Sequence, residues 1–380
     1  MREPAFDELR AGLARLGRPY TTADVAAGMR AQGQVVTDAL VRETLEQLRR
    51  NSTGAGPLEP LLAEPGVSDV VVNGPAEVFV DRGSGLERTD LTFVDDEQVR
   101  RLAIRLAAAA GRRLDDASPF VDGRLPSGVR LHAVLAPVAE PGTCLSLRVP
   151  ARRNFSLAEL VRAGSVPPEG ARLLATLVAA RVPFLVSGGT GSGKTTLLAA
   201  LLAKVPQEER IVLVEDAREL VPDHPHCVRL EGRPANAEGT GAISLTTLVR
   251  QALRMRPDRL VLGEVRGAEL ADLLTALNTG HEGGCGTVHA NSVTDVMARL
   301  EALAALGGLP REACHAQVAA ALRVVIHLRR TPDGTRRVEE LGVFIRGVAG
   351  EVEVVPGATL RAGSVVYTKA GNWLRRLVEP

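Results

Sequence analysis

Hydrophobic and polar positions divide the chain into three textures. Over residues 1–50, apolar positions such as Leu40, Val41, Leu45 and Leu48 recur at helical spacing, and Thr21 or Thr22 can cap a helix before Val25 and Met29. The cluster Asn51-Ser52-Thr53-Gly54-Ala55-Gly56-Pro57 breaks that pattern and marks a boundary. From 57 to 150 the runs shorten to β type: Asp69–Val72, Glu77–Val80 and Leu91–Val94, with Gly74-Pro75 turning between the first two. A helix is expected over about 96–110, then strands around Val129–Leu135 and Cys144–Val149, an α+β arrangement. After a cap at Ser156, β-runs at 182–187, 211–215, 259–263 and 285–289 alternate with helical stretches at 194–204, 245–255 and 268–278. That alternation predicts an α/β fold with a mostly parallel sheet covered on both faces. The runs Val324–Leu328, Val338–Ile345 and Val352–Val355 predict a small antiparallel appendage. The expected domains are a helical segment (1–52), an α+β domain (53–150) and an α/β domain with the appendage (151–380).

Composition narrows the classes. The chain is 45% apolar and 24% charged with a net charge of +1, so no global field draws it to nucleic acid or an anionic membrane. No apolar run is long enough to span a bilayer, and the start MREPAFDELR lacks the apolar core of a signal peptide, so a cytoplasmic protein is expected. Cys144, Cys227, Cys285 and Cys314 show no paired spacing, which fits free thiols in a reducing compartment.

The chemistry centres on Gly188-Gly189-Thr190-Gly191-Ser192-Gly193-Lys194-Thr195, between the apolar run Val182–Val186 and a helix-forming run that opens at Thr196. Glycines let main-chain N–H groups turn inward onto a phosphate chain, and the helix start adds partial positive charge. Lys194 can reach the β- and γ-phosphates of ATP, and the Thr195 hydroxyl can ligate Mg²⁺. In an open parallel sheet, ligands sit at the carboxyl ends of strands. Glu264 follows the run Leu260–Leu262 and so faces the loop, where a carboxylate can orient the attacking water and help hold Mg²⁺. Asp258 precedes that run and reads as a turn or cap residue. Glu215 and Asp216 follow Ile211–Val214 at the same rim, with Glu219 four residues on; one of them can hold a metal-bound water. His281, Cys285 and His289 would align only on a helix, which Gly280, Gly283, Gly284 and Gly286 disfavour. The better reading is a β-run ending at His289, placed to sense the γ-phosphate. His224, His226 and Cys227, interleaved with prolines, read as a surface loop.

The runs Arg229–Asn236, Ala252–Gly267, Thr279–Gly283 and Gly286–Ser292 resemble the type II/type IV secretion ATPase superfamily, and most nearly its CpaF/TadA branch, which drives Flp/Tad pilus assembly. That resemblance, over about 50 to 345, implies a RecA-like C-terminal domain and a hexamer with nucleotide between the N- and C-terminal domains. It makes Gly188–Thr195 the Walker A motif and Glu264 the catalytic glutamate. It puts Glu215 and Glu219 in an acidic box, and His281 and His289 in a histidine box. Gly263 stands where many P-loop enzymes have Asp, a feature of the family. Asp122–Arg130 and Ser146–Arg148 match N-domain segments of the family, which nominates Arg124, Arg130 and Arg148 as cations that close around the phosphates. The implied partners are further copies of the chain and membrane platform proteins, placing the motor at the inner face of the cytoplasmic membrane.

The same chemistry serves a conjugative or effector-exporting type IV secretion ATPase, the alternative reading. A nucleic-acid translocase would want a basic channel and stacking aromatics, against which two tyrosines, one tryptophan and a near-neutral charge argue. A non-hydrolysing ATP-dependent scaffold would have no use for Glu264 and His289.

Overall fold

The computed structural model describes residues 8–9, 12–13, 20–34, 36–52, 54–150, 154–233, 235, 240–331, 334–361 and 363–378. The chain forms two compact units, Met1–Pro150 and Ala151–Pro380.

The first unit opens with helices Thr22–Ala31 and Asp38–Ser52, around a small core that includes Val25, Met29, Val41 and Leu48. Thr21 is the cap: its hydroxyl accepts from Asp24 N while the Asp24 carboxylate accepts from Thr21 N, satisfying two donors at the helix start. A fully antiparallel sheet follows: β1 (Asp69–Asn73), β2 (Val78–Asp81), β3 (Leu86–Arg88), β4 (Phe120–Arg124), β5 (Arg130–Val134) and β6 (Cys144–Arg148), in the order β3-β2-β1-β6-β5-β4. The helix Asp96–Ala109, capped by Asp95, contributes Val99, Leu102 and Leu106 to the core beneath the sheet. Leu91–Val94, expected as a strand, is loop; Phe93 is buried there as an anchor, and the third strand lies earlier. Strand β4 escapes the pattern because Asp122, Gly123 and Arg124 dilute its apolar content at a sheet edge.

The second unit is built on nine strands: β7 (Phe184–Gly188), β8 (Ile211–Glu215), β9 (Cys227–Glu231), β10 (Arg259–Leu262), β11 (Cys285–Val288), β12 (Val324–Arg330), β13 (Arg336–Arg346), β14 (Val352–Arg361) and β15 (Ser364–Tyr367). Their order is β15-β14-β13-β12-β7-β11-β10-β8-β9. From β12 to β9 every pairing is parallel. Alternate residues feed two cores: Phe184, Val186, Ile211 and Leu213 face one, Leu185, Val212 and Val214 the other. Helices cover both faces, which is why β7, β8, β10 and β11 are buried at every position. The fold is thus a RecA-like P-loop domain, preceded by the α+β unit.

The expected appendage is instead part of this sheet. Strand β12 pairs in parallel with β7, and β13, β14 and β15 extend the sheet antiparallel from there. Sequence texture shows hairpins but not that nonlocal pairing. At the amino rim, Asp258 accepts from Arg210 N at 2.7 Å, a turn role, and the buried Arg259 pairs with Glu209 at 2.6 Å. Among the described residues no helix is long and apolar enough to cross a membrane.

Candidate functional site

The parallel strands deliver their carboxyl ends to one rim. There β7 runs into the glycine loop, and the helix Lys194–Leu202 leaves it. Gly191 and Gly193 hold φ of 69° and 96°, which lets the loop fold over its own N–H groups. Gly188 allows no side chain, since a Cβ there would stand 2.5 Å from the Leu328 carbonyl and 2.6 Å from Ser192 Oγ. Lys194 is buried and folds back on the loop, donating from Nζ to the carbonyls of Gly188 (3.0 Å) and Gly189 (2.8 Å). Burial lowers its pKa, against the opposing Glu264 charge.

Two neighbouring strand ends complete the cluster. Glu264 follows β10, and His289 follows β11. His289 Nε2 lies 2.8 Å from Glu264 Oε1, and its Nδ1 lies 3.4 Å from Lys194 Nζ. Burial, then the Lys194 charge, lower the His289 pKa, and Glu264 opposes them. The other Glu264 oxygen accepts from Arg266 at 2.6 Å, and Arg266 also faces Asp216 at 3.9 Å. The hydrogen bond to Glu264 raises the pKa of Arg266. Arg266 was present in the sequence without a role; two residues beyond Glu264 in an extended segment, it shares that residue's side, and that spacing was the available signal.

Glu215 lies at the same rim, but buried. Its Oε1 accepts from the main chain of Glu219 (3.0 Å) and Leu220 (2.9 Å), and burial raises its pKa against those two bonds. It braces the loop after β8. It also explains Gly263: a Cβ there would meet Glu215 Cγ at 2.5 Å, so the buried glutamate occupies the room an aspartate would need. Glu219 is exposed, and its charge reaches Lys194 and Arg266.

The structure brings His289 to the loop but not His281. Strand β11 runs from the glycine turn toward the loop, so His281 precedes the strand, at the opposite rim. Its Nδ1 lies 3.3 Å from the Ala276 carbonyl. Arg124, Arg130 and Arg148 belong to the first unit. Register sets Arg124 opposite Arg130 and Arg130 opposite Arg148, and Arg148 pairs with Asp69 at 2.9 Å.

The residues present fit a nucleotide. The loop supplies N–H groups and a cation, and the Ser192 hydroxyl is buried without a protein partner. Thr195, half-buried at the helix start, carries a hydroxyl that could ligate Mg²⁺. Both Glu264 oxygens are engaged, one by His289 and the other by Arg266, and the carboxylate could hold a water or a metal-bound water beside the loop. Beside the loop lies a cavity of about 470 Å³, walled by Phe155, Leu160, Val166, Leu197 and Val338, with Ser192, Gly193, Thr196 and Arg336 at its polar side. Arg336 donates from Nε to the Gly191 carbonyl at 2.9 Å.

Comparison with known proteins extends these observations. A Mycobacterium tuberculosis protein named for conjugal transfer is 57% identical over 324 residues, 84% of this chain and 92% of that protein. The type IV secretion system protein PtlH of Bordetella pertussis is 35% identical over 308 residues, 74% of this chain and 91% of PtlH. The solved ATPase DotB of Yersinia pseudotuberculosis shares the fold with a TM-score of 0.53 at 17% identity, covering 95% of this chain and 88% of DotB. These names point to conjugal and type IV systems, whereas the resemblance in the motifs had favoured the Flp/Tad branch. Residues 51–351 match the family described as type II/IV secretion system protein, and the chain belongs to that family.

Proposed function

We propose that the chain hydrolyses ATP to ADP and phosphate as the motor of a type IV secretion system, in place of the Flp/Tad reading. The observation that carries it is the meeting of Lys194, Glu264 and His289 at the glycine loop, where His289 lies 3.4 Å from Lys194 and 2.8 Å from Glu264. The identity with PtlH and with the conjugal transfer protein supports the type IV branch. In this reading the loop N–H groups and Lys194 bind the β- and γ-phosphates, and the cavity takes the nucleoside. Thr195 would hold Mg²⁺, which when bound would neutralise phosphate charge. Glu264 orients the attacking water and takes its proton. His289, held between Lys194 and Glu264, is placed to sense the γ-phosphate, and Arg266 balances the Glu264 charge. Glu215 keeps the neighbouring loop in place, and Glu219 faces the same space. Arg124, Arg130 and Arg148 are proposed to add cations to the phosphates.

The working assembly is proposed to be a homohexamer, held by partner proteins at the inner face of the cytoplasmic membrane. Phosphate release by the purified chain, with light scattering in a non-hydrolysable ATP analogue, tests this. Turnover with a mass near six chains is expected; a monomer at every concentration with no turnover would overturn it.

A further inference from the structure

His327 lies in β12, outside the cluster just described, and only 4% of it is exposed. A titratable ring inside a sheet is costly unless its nitrogens are satisfied. Its Nδ1 lies 2.9 Å from the hydroxyl of Ser187, itself fully buried, and register sets the two residues opposite each other on β12 and β7. The ring also hydrogen-bonds the main chain of Asn291, a bond that favours the protonated ring and so accepts from it. With Nδ1 turned to the Ser187 hydroxyl, the tautomer that suits both partners carries its proton on the other ring nitrogen, leaving Nδ1 to accept from Ser187. The neutral imidazole meets both partners at once.

What these partners carry gives the arrangement its meaning. Ser187 directly precedes Gly188, whose carbonyl holds Lys194. Asn291 lies two residues beyond His289, which contacts both Lys194 and Glu264. One buried ring therefore ties the strand end that sets the lysine to the segment that sets the histidine. Leucine would fill similar space in this apolar strand and needs no partners, so packing alone does not call for histidine.

We propose that His327 is a positioning residue for hydrolysis, fixing His289 relative to the loop through Ser187 and Asn291. The inference rests on the reading of this site as an ATPase. Misplacement of a reacting group by about 1 Å costs about 100-fold in rate, while phosphate binding by the loop needs no such accuracy. The expected signature is thus a loss in kcat with nucleotide affinity kept.

The test uses the full chain as wild type, His327→Leu, His327→Gln and Ser187→Ala. Phosphate release, binding of a fluorescent ATP analogue and the melting temperature are measured for each. His327→Leu is expected to lose about 10- to 100-fold in kcat, with analogue Kd within about 3-fold of wild type. His327→Gln, which can accept and donate at similar positions, should recover kcat to within about 3-fold of wild type. Ser187→Ala should cost about 10-fold and add little on top of His327→Leu. If His327→Leu does not fold, Ser187→Ala and His327→Gln decide the matter. The inference is overturned if Ser187→Ala and His327→Leu both turn over like wild type, if His327→Gln falls as far as His327→Leu, or if Kd weakens in step with kcat. Inactive wild-type protein would overturn the ATPase reading itself; active wild type beside equally active variants overturns this inference alone.

Discussion

Glu264→Gln separates catalysis from folding. The substitution keeps size and shape and removes one charge. In the structure that carboxylate engages His289 at 2.8 Å and Arg266 at 2.6 Å. The Arg266 side chain is 56% exposed, so the pair contributes at most about 1 kcal/mol to stability. Asp216, 3.9 Å from the same guanidinium, partly replaces the lost partner. The melting temperature should therefore fall by no more than about 4 °C. Catalysis loses far more, because an amide cannot take the proton of the attacking water. General-base removal costs about 10²- to 10⁴-fold, or about 3–5 kcal/mol in the barrier. Nucleotide affinity should hold within about 3-fold, since the loop and Lys194 are untouched. The assay is steady-state phosphate release beside equilibrium binding of a fluorescent ATP analogue and a thermal melt. Turnover within about 3-fold of wild type would refute the role of Glu264, and a melting temperature lowered by more than about 10 °C would refute the placement of its charge at a half-open rim.

Gly188→Ala brings a Cβ to 2.5 Å from the Leu328 carbonyl at φ of 150°, so stability should fall by about 2–4 kcal/mol in a denaturant titration; an unchanged midpoint contradicts the close approach. Gly263→Asp should also destabilise the chain, and Glu215→Ala in the same molecule should recover part of the loss, whereas strict additivity would deny that the two compete for one space. Ala163→Trp, at the cavity, should raise KM for ATP about 10-fold with kcat kept; an unchanged KM removes the nucleoside from that cavity. The pKa values of His289 and His327 are both lowered from 6.5, so on acidification the unfolded chain binds protons that the native chain resists. Their contribution is present above about pH 6.5 and lost as pH falls below it. Around His327 the charges of Glu339 and Asp295 oppose that shift and Arg329 assists it. Melting temperatures at about pH 7.5 and about pH 5.5 should fall less for His327→Gln than for wild type, and equal slopes would contradict the sign.

Much of the site was legible because it is local. A strand, a glycine loop and a helix follow one another in sequence, and the rule that ligands gather at strand carboxyl ends sorted Glu264 from Asp258 without coordinates. The same rule, applied to His281, gives the rim opposite the loop once β11 is known to begin at Cys285. What stayed hidden depends on pairing between distant segments. Strand β12 looks like the start of a hairpin, and only its register with β7 reveals that His327 faces Ser187. Edge strands β4 and β9 carry too few buried residues to show a period. Glu215 looked like a ligand because position alone cannot tell a carboxylate aimed at solvent from one held by two main-chain N–H groups.

The central claim is that this rim cleaves ATP with Lys194 at its heart. Its most direct measurement is phosphate release by purified wild-type chain and by Lys194→Ala, side by side in ATP and Mg²⁺. The account predicts steady turnover in the first and none above background in the second; equal rates in the two, or no release from wild type, would contradict it.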